Sequence, residues 1–145
     1  MIKRTLYFLA FAGCIASCQQ TADYKLIRDE VVKIHDSVMV NTENAYLNKR
    51  ALDTLATRLD SLKKAKPALD TAKEKVVINN LRHQLEEADT RMSDWMHQFE
   101  ADKGSKSDAE AVAYFNNEKS KISSIDSLYV SLLKTSNEYL SQLKK

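Results

Sequence analysis

The sequence predicts an all-α fold, an elongated antiparallel three-helix bundle with up-down-up, coiled-coil-like packing, and three observations carry that expectation. After residue 18 the chain has one proline, Pro67, and one glycine, Gly104, far too few turn-formers for the many short strands of a sandwich or barrel. The three long stretches that these two residues separate repeat apolar side chains at alternating steps of three and four, which lays them along one helical face. The connections between the stretches are short, and short connections make successive helices antiparallel neighbours.

The first element, residues 1–17, reads as a cleaved signal peptide. Lys3 and Arg4 make a positive start, Thr5 to Ile15 is an apolar run, and the small pair Ala16-Ser17 precedes Cys18. That is a secretory layout, and the run falls short of the roughly 20 apolar residues a membrane-spanning helix needs. Ile15-Ala16-Ser17-Cys18 resembles the lipobox of bacterial lipoproteins, an aliphatic residue and two small residues before cysteine. The resemblance implies cleavage before Cys18, a thioether-linked lipid on its sulfur, and an acyl chain such as palmitate on the new amine. Cys14 competes for this role, but fewer apolar residues precede it and Phe11 fills the aliphatic slot. A plain secreted protein with an accidental cysteine is the alternative. Two or three acyl chains anchor far more firmly than one, since each buried methylene contributes about 0.8 kcal/mol. Gln19 is not the aspartate that retains lipoproteins at the inner membrane, and no acidic run of the surface-export kind follows. The expected location is therefore the bacterial cell envelope, lipid-anchored in the outer membrane and facing the periplasm, with residues 18–23 as the tether.

Residues 18–145 suit a single domain. The formal net charge of the full chain is +2, and Lys3 and Arg4 account for all of it. The remainder is neutral, which argues against nucleic acid as a partner, because its binders concentrate basic charge. With Cys14 discarded and Cys18 lipidated, the body at 24–145 has no thiol for a disulfide, a metal or a nucleophile, so its fold rests on packing.

The first helix is expected over about 24–65. Val31, Val38, Ala45, Leu52 and Leu59 form one seven-residue series, and Ile27, Ile34, Asn41, Asn48, Leu55 and Leu62 form the other. Val32, Met39 and Tyr46 widen the stripe, as for a helix that packs on two neighbours. Asn41 and Asn48 fall on the seam, where an Asn either sets register at some cost in stability or marks a solvent-exposed turn. Pro67 ends this helix near residues 64–66. The second helix is expected over about 69–101, with either Thr71 and Glu74 as a capping box or Pro67 in its first turn. Its seam is Ile78, Leu81, Leu85, Ala88, Met92, Trp95 and Phe99. Gly104 stops it, and Ser107 with Glu110 reads as a capping box for a third helix over about 108–143. That helix carries Phe115, Ile122, Ile125, Tyr129, Leu132, Tyr139 and Leu143, interrupted by Glu118 and Ser136. Trp95, Phe99, Phe115 and Tyr129 are expected to form an aromatic cluster in the core. Residues 67–102 carry four basic and eight acidic side chains, whereas 22–66 carry nine and seven and 103–145 seven and five, so a negative middle helix lies between positive neighbours. The rival architecture is an intermolecular coiled coil, which makes a homo-oligomer possible.

Four polar residues on the second helix are the metal candidates. His83 and Glu87 stand one turn apart, and Asp94 with His97 makes an acid-x-x-His step of the kind used by di-metal bundles. Those sites need two such steps and further inward carboxylates, and this chain has one. Met92, Met96 and His97 beside Trp95 suit a soft metal, but Met and Trp on a seam are also ordinary core fillers. His35-Asp36 and the many serines lack the strained turn and oxyanion hole of hydrolytic catalysis. No Gly-rich phosphate loop, haem attachment or EF-hand loop is present, so no cofactor is expected.

The stretch Ala88 to Asp102, ADTRMSDWMHQFEAD, together with His35-Asp36-Ser37-Val38-Met39 and the signal, resembles a group of small helical lipoproteins labelled "viral A-type inclusion protein"-like. The resemblance spans most of the chain after Cys18 and implies no active site. The expectation is a non-enzymatic protein-interaction, scaffold or chaperone-like module with an envelope protein as partner. The alternative is a bundle that binds a metal or small ligand at His83, Glu87, Asp94 and His97.

Overall fold

Asp23 caps the first helix by accepting the Lys25 N–H at 2.9 Å, which satisfies a donor that the first helical turn leaves orphaned. The computed structural model describes residues 23–144, and these form three helices, α1 (Tyr24–Ala65), α2 (Thr71–Gln98) and α3 (Asp108–Lys144). The lipobox Ile15-Ala16-Ser17-Cys18 and the competing Cys14 lie outside the described residues. Along α1 the series Val31, Val38, Ala45, Leu52 and Leu59 is completely buried, as its seven-residue period requires. Its last bond runs from the Lys66 N–H to the Leu62 carbonyl at 2.7 Å. Pro67 has no N–H with which to continue.

Both ends of α2 differ from expectation, for local reasons. The helix starts at Thr71 rather than 69 because Asp70 caps it, accepting the N–H groups of Ala72 and Lys73, both at 3.1 Å. Neither the Thr71–Glu74 box nor the Pro67 start is used, and the Glu74 carboxylate instead accepts the Tyr139 hydroxyl at 2.6 Å. At the other end α2 stops at Gln98 rather than 101, and Phe99 turns into extended backbone with φ −75° and ψ 123°. The connection then uses Gly104 at φ 59°, a left-handed conformation that costs glycine nothing. The box at the start of α3 forms as read, with the Ser107 N–H on Glu110 Oε2 at 2.7 Å and the Glu110 N–H on Ser107 Oγ at 3.3 Å.

Cross-helix pairs set the directions. Asn41 meets Asp126 and Asn48 meets Ser136, so numbers rise together and α1 runs parallel to α3. Lys49 meets Asp89 and Asp53 meets Arg82, so α2 is antiparallel to α1. Trp95 on Glu118 and Glu74 on Tyr139 show the same relation between α2 and α3. The bundle is thus up-down-up. With 42 residues at about 1.5 Å each, α1 runs for roughly 63 Å.

One expectation about α1 is overturned. The α1 helix does pack on both α2 and α3, but Val32, Met39 and Tyr46 are not buried by it and stand substantially in solvent. The α1 helix makes its most extensive contact with α3, so its flank toward α2 is left partly uncovered.

Candidate functional site

Three polar clusters tie the rod together before any site is considered. Asn41 Nδ2 donates to Asp126 Oδ1 at 3.1 Å, and Asn48 Nδ2 donates to Ser136 Oγ at 2.8 Å and Asn137 Oδ1 at 3.0 Å. Both asparagines are thus half-buried and bonded across to α3, not simply exposed to solvent. At mid-length Asp89 accepts the Tyr129 hydroxyl on one oxygen at 2.7 Å and pairs with the Lys49 ammonium on the other, so one carboxylate joins all three helices. Burial, with Asp89 alongside, pushes the Tyr129 phenol far above its ordinary range. Nearer the start of α1, the buried Glu118 accepts the Trp95 indole N–H at 2.9 Å and the Lys121 ammonium at 2.7 Å. Arg82 Nε lies 2.7 Å from Asp53 Oδ1, but too bent for a hydrogen bond, so that contact is an ion pair only.

The aromatic residues gather where α1 begins. Trp95 stacks on Phe99 with ring centres 4.7 Å apart, Phe99 meets Phe115 edge-on at 6.3 Å, and Tyr24 stacks on Phe115 at 6.1 Å. Tyr114 adds an edge contact to Phe115, and its hydroxyl accepts the Glu100 N–H at 2.7 Å. Tyr129 is not part of this cluster. It lies fourteen residues beyond Phe115 on α3, about 21 Å along the axis, and serves the Asp89 layer instead. Phe99 stacks on Trp95 because it stands four residues on, with its N–H still bonded to the Trp95 carbonyl at 2.9 Å; its extended ψ redirects the chain only after it.

The metal candidates do not converge. His83 Nδ1 is 3.8 Å from Glu87 Oε2, with both side chains exposed, and Arg91 lines the same cleft, where a cation would be repelled. His97 Nδ1 sits 2.6 Å from the Ser93 carbonyl oxygen, and His97 is about 21 Å along the helix from His83. Among the described residues no group of three or more His, Cys, Asp or Glu could hold a metal ion, and no helix is long and apolar enough to cross a membrane.

What sequence reasoning missed is a surface. A shallow cleft of about 340 Å³ between α1 and α2 is lined by Val32, His35, Asp36, Trp95, Met96 and Phe99. The stacked Trp95 and Phe99 line it with Met96 on the α2 side, and Val32 stands with the polar His35 and Asp36 on the α1 side. No family model, characterised protein or solved structure matches this chain. Function must therefore be read from the surface itself. A second cleft, of about 320 Å³, lies between α1 and α3 at the opposite end, lined by Leu55, Arg58, Leu62, Leu140 and Leu143 among others. The sequence carries only a partial signal of the first surface. The row Val32, Met39, Tyr46 sits one position after the core row Val31, Val38, Ala45, and a helix with one dominant neighbour cannot bury both.

Proposed function

We propose that this chain is a lipoprotein anchored through Cys18 in the bacterial cell envelope, at the periplasmic face of the outer membrane, that works without catalysis by binding a protein partner along its rod. The observation that carries the reading is the placing of exposed apolar residues. Nine large hydrophobic side chains are exposed among the described residues, and five of them, Val32, Met39, Val40, Tyr46 and Leu47, lie within sixteen consecutive residues of α1. Scattered apolar residues are ordinary on any surface, whereas a concentration of them marks an interaction site. Tyr24, six residues past Cys18, opens α1, so the tether would hold this half of the rod near the lipid surface.

The test has two arms. Intact mass of protein extracted from membranes should show a chain beginning at Cys18 with its acyl groups, and Cys18→Ser should release it from the membrane fraction; an unlipidated product of the native sequence, or a Cys18→Ser protein that stays membrane-bound after signal cleavage, overturns the anchor. Photo-crosslinkers placed at Met39, Val76 and Val130 in living cells should capture a partner at Met39 only. Equal capture at all three, or none at any, overturns the interaction reading.

A further inference from the structure

Around the α1 patch the spacing is more specific than hydrophobicity alone. Val32, Met39 and Tyr46 make one row, 41%, 42% and 54% exposed, and Val40 and Leu47 make another, 61% and 52% exposed. Between them, at steps of three and four from both, run Asp36 and Glu43, continued by Asp29 below and Arg50 above. The face is an acidic row flanked by two apolar rows, about 22 Å long from Val32 to Leu47. Met96, 42% exposed on α2, extends it across the cleft that Trp95 and Phe99 line.

We propose that this face receives an amphipathic helix of a partner protein, about fifteen residues long, whose apolar stripe is split by a row of Lys or Arg. This rests on the interaction reading above and specifies its partner. Helices dock on such faces through apolar anchors at i, i+3, i+4 and i+7, and methionines such as Met39 and Met96 adapt to the incoming side chains. Charge selects the occupant. Asp36 is paired only with its neighbour His35, at 3.0 Å, with its side chain 73% exposed, and Glu43 makes no ion pair among the described residues, so both are available to a cation. A second copy of this chain is the wrong partner. Antiparallel self-pairing about the middle of the patch sets Asp36 against Glu43, parallel pairing sets each acid against itself, and like charges across an interface are strongly unfavourable. An anionic lipid surface is disfavoured for the same reason.

The chain's single tryptophan, Trp95, lies in the cleft and reports the test directly. The probe is a synthetic helical peptide of about 18 residues with Leu rows flanking a Lys row, and the control carries Glu for every Lys. The Lys peptide should change Trp95 emission saturably, and the Glu peptide should not. The double variant Asp36→Lys, Glu43→Lys should weaken the Lys peptide at least tenfold and accept the Glu peptide. Both positions are exposed, so an unchanged melting curve confirms an intact fold. Four results overturn the proposal: equal binding of both peptides, indifference to the double reversal, a saturable emission change with zwitterionic vesicles alone, or sedimentation showing a dimer that Met39→Lys dissolves. If the peptides fail while the Met39 crosslinker still captures its partner, the partner chemistry is wrong and the interaction reading stands.

Discussion

Asp89 takes a proton donor from each neighbouring helix, and its substitution separates charge from hydrogen bonding. Tyr129→Phe removes one hydrogen bond to a part-buried carboxylate and should cost about 1–2 kcal/mol in urea unfolding. Asp89→Ala removes both contacts and strands the half-buried Lys49, and should cost more than Tyr129→Phe by the same measurement. Glu118 offers a parallel contrast. Glu118→Gln keeps an acceptor for the Trp95 indole, whereas Glu118→Ala leaves that N–H buried and unsatisfied, at about 1–3 kcal/mol and with a visible change in Trp95 emission. The phenols set an alkaline limit. Burial, followed by the Asp89 and Glu74 contacts, raises Tyr129 and Tyr139 well above 10.0. Their contribution is therefore complete below 10.0 and falls as pH rises beyond it, because the unfolded chain ionises while the folded one does not. Tyrosinate absorbance of the folded protein should stop short of complete titration until alkaline unfolding exposes these two.

Each helix boundary has its own cause, and the caps are individually testable. Asp70→Ala strips two N–H groups of their acceptor and should destabilise by about 1 kcal/mol in thermal melts. Gly104→Ala meets no atom within 4 Å, so its cost of about 1 kcal/mol comes from the positive φ alone. At the start of α3, the Ser107 hydroxyl and N–H hold Glu110 below the ordinary carboxylate range, and Lys106 does the same to Glu100. Depressed carboxylates stabilise at neutral pH, and their contribution is lost as pH falls through their folded values. Amide protection in the first turn of α3, taken relative to the intrinsic exchange rate at each pH, should accordingly fall on acidification before that of the centre of the bundle. Helix number, α1 from Tyr24 to Ala65 and the Ser107–Glu110 box were legible because periodicity and capping are local signals. The end of α2 at Gln98 and the Asp70 cap were not, since each is settled among competing local partners, as when the Asp70 carboxylate takes two backbone N–H groups. The solvent-exposed Val32 row was misread because a helix's own sequence does not say which neighbour will cover it. The metal candidates shared one helix without sharing one place on it.

At the scale of the molecule the core is one continuous apolar column from Val31 to Leu140, so a vacancy at its middle should be felt everywhere. Leu52→Ala, at a completely buried position, should cost about 2–5 kcal/mol in a single transition seen alike by circular dichroism and Trp95 emission. Small-angle scattering should give a radius of gyration near 19 Å for a three-helix rod of this length, against about 14 Å for a spherical domain of the same size. The odd number of helices has a mechanical consequence. Because α1 and α3 run parallel, the start of the first and the end of the third lie at opposite poles, and tension between a fixed base and a load at the tip acts along the axis. Asn41–Asp126, Asn48–Ser136 and the Asp89 layer would then be strained together in shear, not peeled apart one after another as in a two-helix hairpin.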